Sequence, residues 1–214
     1  MSTSTRWTVV VLAVVVALCA GLWLQLDRDS SPGGTDRGQA REQRDADTPE
    51  ALAEPRRRAD LAPCPGDGRG EGPQTLGNIT VGCAGDGADV DVAKALAGRT
   101  VVLNLWAYWC APCAEELPAM AEYQRRVGPA VSVVTVHQDE NETAALLRLA
   151  ELGVHLPTLQ DGRRLIAAAL QVPNVMPATV VLRPDGSVAE ILPRSFATAD
   201  EIAAAVDPQI GVPG

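Results

Sequence analysis

The chain has 214 residues, 46% of them hydrophobic and 21% charged, which is enough for one domain of ordinary size with additional segments. Its 18 basic and 27 acidic residues give a formal net charge of -9, which argues against a basic surface that binds nucleic acid. Five cysteines are too few for a disulfide-dense miniprotein, and the composition is not that of collagen or of a low-complexity chain.

Residues 7–26 form an apolar run without an acidic or basic side chain. Twenty helical residues span the hydrocarbon core of a bilayer, and the run is longer than the apolar region of a typical signal peptide. The sequence therefore predicts an uncleaved transmembrane helix in contact with the lipid bilayer, with a cleaved signal peptide as the alternative. Arg6 on the short side predicts that residues 1–6 are cytoplasmic and that the protein is a single-pass protein of the cell membrane.

Residues 27–60 are rich in arginine and acidic residues and contain few large apolar side chains. Such a segment buries too little surface to offset the entropy of ordering, so we expect a disordered linker. Residues 61–214 are then the extracytoplasmic domain. Its four cysteines lie in a compartment where disulfides persist.

The domain alternates strand and helix patterns, which predicts an α/β fold. A strand buried on both faces and the helix after it are followed by a second buried strand, so the first two strands should be parallel neighbours. Additional α/β material, a β-hairpin and a final helix complete the order. The predicted elements are strand 100–106, helix 112–127, strand 131–136, helix 141–153, a short strand within 156–160, helix 163–172, hairpin 178–193 and helix 198–206.

The sequence WCAPC, residues 109–113, lies between the first strand and its helix. The spacing allows Cys110 and Cys113 to form a disulfide, and the positive end of the helix favours a thiolate on Cys110. Cys110 is then the nucleophile, and Cys113 resolves the mixed disulfide. Zinc and c-type haem fit less well, because no second close ligand pair is present and Ala114 stands where haem attachment needs histidine. No metal is expected, and His137 is interpreted as an ordinary loop residue.

Two segments resemble the membrane-anchored thioredoxin-like proteins of the TlpA/ResA type: NLWAYWCAPCAEELP at 104–118 and NVMPATVVLRPDGSV at 174–188. The likeness extends over residues 74–207. It implies a thioredoxin-like fold, a central mixed sheet flanked by helices with an α/β insertion. It also implies that Pro177 is a cis-proline facing the dithiol and that Met176 offers its backbone to a bound substrate strand. The alternative for Pro177 is that it simply opens a strand.

Glu116 lies three residues after Cys113, on the same helix face. In the proteins that this chain resembles, the matching glutamate exchanges protons with the cysteines, which a raised carboxyl pKa would permit. The alternative is an acid that interacts with the helix dipole. Asn104 cannot titrate, and Trp109 is expected to shield the dithiol.

Cys64 and Cys83 lie in a stretch rich in glycine and proline. A disulfide between them would stabilise a region with little core of its own, which favours a structural role. A second redox pair that exchanges with Cys110 is the alternative.

These observations together predict an extracytoplasmic thiol-disulfide oxidoreductase that acts on proteins and needs no cofactor besides Cys110 and Cys113. The resemblance implies a reductase of the haem-binding cysteines of apocytochrome c during cytochrome c maturation, recharged by a membrane thiol-electron donor. The alternatives are a dithiol oxidase of secreted proteins, a non-catalytic client-binding module and a metallochaperone.

Overall fold

The computed structural model of the chain describes residues 47–70 and 72–211. No helix within these ranges is long and apolar enough to cross a bilayer, and the predicted segments 1–6 and 7–26 lie outside them. The helices are α1 (Pro49–Ala59), α2 (Val92–Leu96), α3 (Ala111–Val127), α4 (Glu142–Leu152), α5 (Leu165–Ala169) and α6 (Ala199–Ile210). The strands are β1 (Thr80–Cys83), β2 (Asp89–Asp91), β3 (Val101–Trp106), β4 (Ser132–His137), β5 (Thr158–Gln160), β6 (Ala178–Leu182) and β7 (Val188–Leu192).

The described strands form one mixed sheet in the order β2-β1-β5-β4-β3-β6-β7. Strand β4 is parallel to β3 and β5, whereas the other pairs are antiparallel. The predicted parallel pair of β3 and β4 and the mixed sheet of the α/β fold are therefore confirmed. Helix α4 and strand β5 lie where the sequence predicts additional α/β material.

Strand β3 lies inside the sheet between β4 and β6, and all six of its residues are buried. Its side chains alternate between two apolar clusters, with Leu103 and Leu105 in one and Val102 and Trp106 in the other. Helices α2 and α5 contribute to the first cluster, and α3, α4 and α6 contribute to the second. The sheet thus separates two cores, and α3, the helix that carries the CxxC motif, packs on the second.

Helix α1 corrects the prediction of a disordered linker over residues 27–60, which is wrong from residue 47 onward. The Thr48 hydroxyl accepts a hydrogen bond from the Ala51 N–H, and Pro49 occupies a position in the first turn where no N–H is needed. Leu52 is buried with Leu146 of α4, so α1 packs against α4. Its arginine-rich last turn also complements the helix dipole.

Two predicted helices have different bounds in the structure, and two strands were not predicted. Helix α5 covers only Leu165–Ala169 of the predicted range 163–172, whereas α6 continues to Ile210. Strands β1 and β2 were not predicted, because each is short and is stabilised by pairing with the other and, for β1, with β5.

Candidate active site

The CxxC motif lies where the chain leaves β3 and enters α3. Cys110 is the N-cap residue of α3 and forms a disulfide with Cys113, with a Cα–Cα distance of 5.3 Å. Cys110 is 5% exposed and Cys113 is fully buried. The Cys113 N–H donates to the Cys110 Sγ at 3.3 Å. A sulfur at this position faces the positive end of the helix, so its thiolate form is stabilised.

Pro177 lies near the same end of β3. Leu105 pairs with Ala178, and continuing this antiparallel register places Pro177 opposite Trp106. The Met176–Pro177 peptide is cis, as the resemblance implies. Met176 packs against the apolar cluster that contains Cys110, so the structure brings the two predicted segments together.

Glu116 is fully buried one helical turn after Cys113. Its Oε2 accepts a hydrogen bond from the Asn104 side chain at 2.6 Å, and its Oε1 accepts one from the Phe196 N–H at 3.0 Å. Burial raises the pKa of Glu116 from 4.5 to about 7, although both hydrogen bonds and the charge of Arg194 oppose the rise. A carboxyl with this pKa can accept or release a proton near neutral pH.

Trp109 precedes the nucleophile and is 57% exposed. Its indole N–H donates to Asp139 Oδ2 at 2.9 Å. Asp139 was not among the predicted site residues. Its position shortly after buried strand β4, at the same edge of the sheet as the CxxC loop, was the available signal.

His137 corrects a second prediction, because it is the last residue of β4 and fully buried rather than a loop residue. Its ring lies 4.9 Å from that of Trp106 and 6.1 Å from that of Tyr108, between ring centroids. Burial lowers the pKa of His137, which favours the neutral ring. The sequence misplaced His137 because a polar side chain at the end of an apolar run resembles the start of a loop.

Cys64 and Cys83 also form a disulfide, with a Cα–Cα distance of 5.9 Å. Cys64 and Cys83 pack in the apolar cluster that contains Leu103 and Leu105. Cys110 and Cys113 belong to the cluster on the other face of the sheet, which contains Val102 and Trp106. The sheet therefore lies between the two disulfides. Residues 47–70 and 72–211 contain no group of three or more His, Cys, Asp or Glu side chains arranged to hold a metal ion.

Comparison with known proteins agrees with this geometry. ResA, a thiol-disulfide oxidoreductase of Bacillus subtilis (strain 168), is 33% identical over 98 residues, which cover 45% of this chain and 54% of ResA. The thioredoxin-like protein YneN of the same organism is 33% identical over 101 residues, covering 44% of this chain and 56% of YneN. The chain thus matches about half the length of these relatives.

Two solved structures share the fold. A secreted Mycobacterium tuberculosis disulfide oxidoreductase homologous to E. coli DsbE has a TM-score of 0.55 and 26% identity, covering 63% of this chain and 98% of that one. A DsbF homologue from Corynebacterium diphtheriae has a TM-score of 0.53 and 27% identity, covering 62% and 85%. The thioredoxin-like fold and the likeness to ResA-type proteins are confirmed. Since the Redoxin family model matches residues 72–205, well over half of the sequence, the chain belongs to the Redoxin family.

Proposed function

We propose that the protein is a thiol-disulfide oxidoreductase that acts on protein disulfides through Cys110 and Cys113. One arrangement carries this proposal: Cys110, which is 5% exposed at a helix N-terminus, is bonded to fully buried Cys113, with a buried carboxyl of pKa about 7 one turn further along the helix. The likeness to ResA and to secreted disulfide oxidoreductases supports the same activity.

In the reducing direction, the Cys110 thiolate attacks one sulfur of the client disulfide. The client S–S bond breaks, a mixed disulfide forms, and the second client sulfur leaves as a thiolate and takes a proton from water. Cys113 then gives its proton to ionised Glu116 and attacks the Cys110 sulfur. The mixed disulfide breaks, the first client sulfur leaves and is protonated, and the Cys110–Cys113 disulfide remains. Two electrons have passed to the client, and a thiol donor must return them.

We also propose a client and a location for the protein. The resemblance to the TlpA/ResA type supports an extracytoplasmic domain anchored through residues 7–26. It also supports reduction of the haem-binding cysteines of apocytochrome c and recharging by a membrane thiol-electron donor. No cofactor besides the Cys110–Cys113 pair is needed for these steps.

Cys64 and Cys83 have a structural role in this proposal. Direct exchange requires a thiolate to approach the other disulfide, and the sheet lies between the two pairs. The Cys64–Cys83 bond instead fixes the chain that follows α1 to strand β1.

Client trapping tests the activity. In a Cys113→Ala variant of the full chain, the reduced protein should form a stable mixed disulfide between Cys110 and insulin, a disulfide-bonded protein substrate. The Cys110→Ala, Cys113→Ala double variant is the matched control and should form none. Absence of an adduct with Cys113→Ala, while unmodified Cys110 still reacts with iodoacetamide, contradicts the proposal.

The reduction potential of the Cys110–Cys113 pair tests the direction. A value near or below about −270 mV supports a reductase, whereas one near about −120 mV indicates a dithiol oxidase. If Cys110→Ser retained full activity in cells, the protein would instead be a non-catalytic client-binding module. Tight binding of copper by the reduced form would favour a metallochaperone.

A further inference from the structure

Two loops flank the disulfide: the cysteine loop, residues 107–110, and the proline loop, residues 173–177. Three consecutive residues at the end of β4, His137, Gln138 and Asp139, form hydrogen bonds toward both loops. His137 and Gln138 are buried, and buried polar side chains usually have hydrogen-bond partners. The exchange reaction uses none of the three directly.

The bonds toward the cysteine loop involve the two residues before Cys110. The Tyr108 N–H donates to His137 Nε2 at 3.4 Å, and the Trp109 indole donates to Asp139 Oδ2 at 2.9 Å. Because Nε2 accepts, the proton of the neutral ring lies on Nδ1, which donates to Gln160 Oε1 at 2.9 Å. Gln160 in turn donates to the backbone carbonyl of Asp139 at 2.6 Å, so these residues hold one another in place.

The guanidinium group of Arg164 makes the hydrogen bonds that connect the end of β4 to the proline loop. Arg164 Nε donates to Gln138 Oε1 at 3.1 Å, and Arg164 Nη1 donates to Asn174 Oδ1 at 2.6 Å. Asn174 lies two residues before Met176. A single side chain therefore joins the end of β4 to the proline loop, and the planar guanidinium group gives this link a fixed geometry.

The backbone holds Arg164 in a defined position. Its φ of 58° lies in the left-handed region, which is unfavourable for residues other than glycine. The Arg164 N–H donates to the Asp161 carbonyl at 2.9 Å. The buried Asp161 carboxylate accepts the N–H groups of Leu165 and Ile166 at 2.9 and 2.8 Å. A non-glycine residue held in an unfavourable conformation suggests that its side chain has a role.

We propose that Arg164 is a positioning residue, whose bonds to Gln138 and Asn174 set the separation between the cysteine loop and the proline loop and thereby define the cleft for an extended segment of a protein client. The inference rests on the proposed function, because a protein client contacts both loops at once. A small disulfide needs only the Cys110 sulfur. Loss of the link should therefore weaken the binding of proteins and leave the chemistry of the cysteines unchanged.

Steady-state reduction of insulin by the full chain, with dithiothreitol as the electron source, tests this inference. In Arg164→Leu the KM for insulin should rise about tenfold, with kcat and the reduction potential unchanged within about twofold. The rate with oxidised glutathione should equal that of the wild type. Arg163→Leu is the matched control, since it removes the same charge at the adjacent exposed position.

A second variant removes the other end of the link without altering the strained position. Asn174→Ala should raise the KM for insulin as Arg164→Leu does, and the double variant should raise it no further, because both remove the same connection. The proposal is wrong if both variants retain the KM of the Arg163→Leu control, or if the two effects multiply. It is also wrong if the rate with glutathione falls as much as the rate with insulin. A wild-type protein that reduces neither substrate would contradict the proposed function itself.

Discussion

The two disulfides differ in what surrounds their sulfur atoms. The Cys110 sulfur accepts a backbone N–H at the start of a helix, which stabilises a thiolate. The Cys64 sulfur lies 3.4 Å from the Thr158 carbonyl oxygen, which would accept the proton of a thiol and disfavour a thiolate. The two disulfides should therefore differ in reactivity. The N–H group beside Cys110 and the carbonyl group beside Cys64 distinguish the redox pair from the structural pair.

The largest effect that follows from this difference concerns activity. Cys110→Ser should lower the rate of insulin reduction at least about a thousandfold, because the hydroxyl cannot form the mixed disulfide. The Cys64→Ser, Cys83→Ser double variant should retain the rate of the wild type, measured in the same assay at a temperature where it stays folded. A comparable loss in the double variant would assign Cys64 and Cys83 to the redox reaction.

Loss of the Cys64–Cys83 bond should lower the stability of the protein more than loss of the Cys110–Cys113 bond. The Cys64–Cys83 bond joins residues 19 apart, and the loop-entropy relation gives about 3 kcal/mol of stabilisation for such a loop. The same relation gives about 2 kcal/mol for the short Cys110–Cys113 loop. Guanidinium unfolding of the Cys64→Ser, Cys83→Ser variant should show the larger loss of unfolding free energy. An equal or smaller loss than in Cys110→Ser, Cys113→Ser would argue against a structural role for Cys64 and Cys83.

The sequence revealed the redox pair because its signals are local. Strand β3 was predicted from a continuous apolar run. Cys110 comes directly before α3 and Cys113 lies in its first turn, so the sequence alone indicates that Cys110 caps the helix. The sequence also identified Glu116. Burial of its carboxyl raises its pKa against the opposing hydrogen bond from Asn104 of β3, so the cause of the shift became visible only in the fold.

The region of the second disulfide was harder to predict because it depends on contacts between distant residues. Helix α1 is rich in charged residues, and its single leucine, Leu52, is buried in a cluster with Ala84 and with Leu146 of α4. Strands β1 and β2 are too short to leave a periodic pattern. Asp47 shows the same principle, since its carboxylate accepts the N–H groups of Glu142 and Thr143, 95 and 96 residues along the chain.

Glu116 allows the redox site to be tested through pH. The unfolded carboxyl ionises near 4.5, whereas the folded one retains its proton until about pH 7. The folded state binds more protons in this window, so the unfolding free energy should fall by about 3 kcal/mol as pH rises through it. Urea unfolding of the oxidised protein should show this fall, and Glu116→Gln should lack it.

The difference between wild type and variant isolates Glu116 from the other titrating groups. Glu115→Gln makes the same change at an exposed position of the same helix turn and serves as the control. If the wild type and Glu116→Gln gave parallel curves between pH 4.5 and 7, the carboxyl would ionise normally in the folded protein and could not exchange protons with Cys113 as proposed.

The smallest effect concerns the attachment of the segment before Cys64. Asp47 satisfies two N–H groups in the first turn of α4, at 3.1 and 2.9 Å, while Asn141 caps a third. Asp47→Ala should lower the unfolding free energy by about 1 kcal/mol, the usual value of such a cap. It should leave insulin reduction unchanged, because the site of exchange lies at α3.

Hydrogen exchange locates this effect. In Asp47→Ala the Thr143 amide should exchange faster, because the removed carboxylate accepts it, and the effect on Glu142 should be smaller, because its amide also donates to the Glu140 carbonyl at 3.0 Å. Thr48→Ala is the control, since its hydroxyl caps only α1 and its loss should leave those two amides protected. Unchanged exchange in Asp47→Ala would mean that Asp47 does not cap α4 in solution. Faster exchange would show that residues before the predicted domain boundary stabilise the helix that follows β4, so a truncation at residue 61 would remove part of the fold.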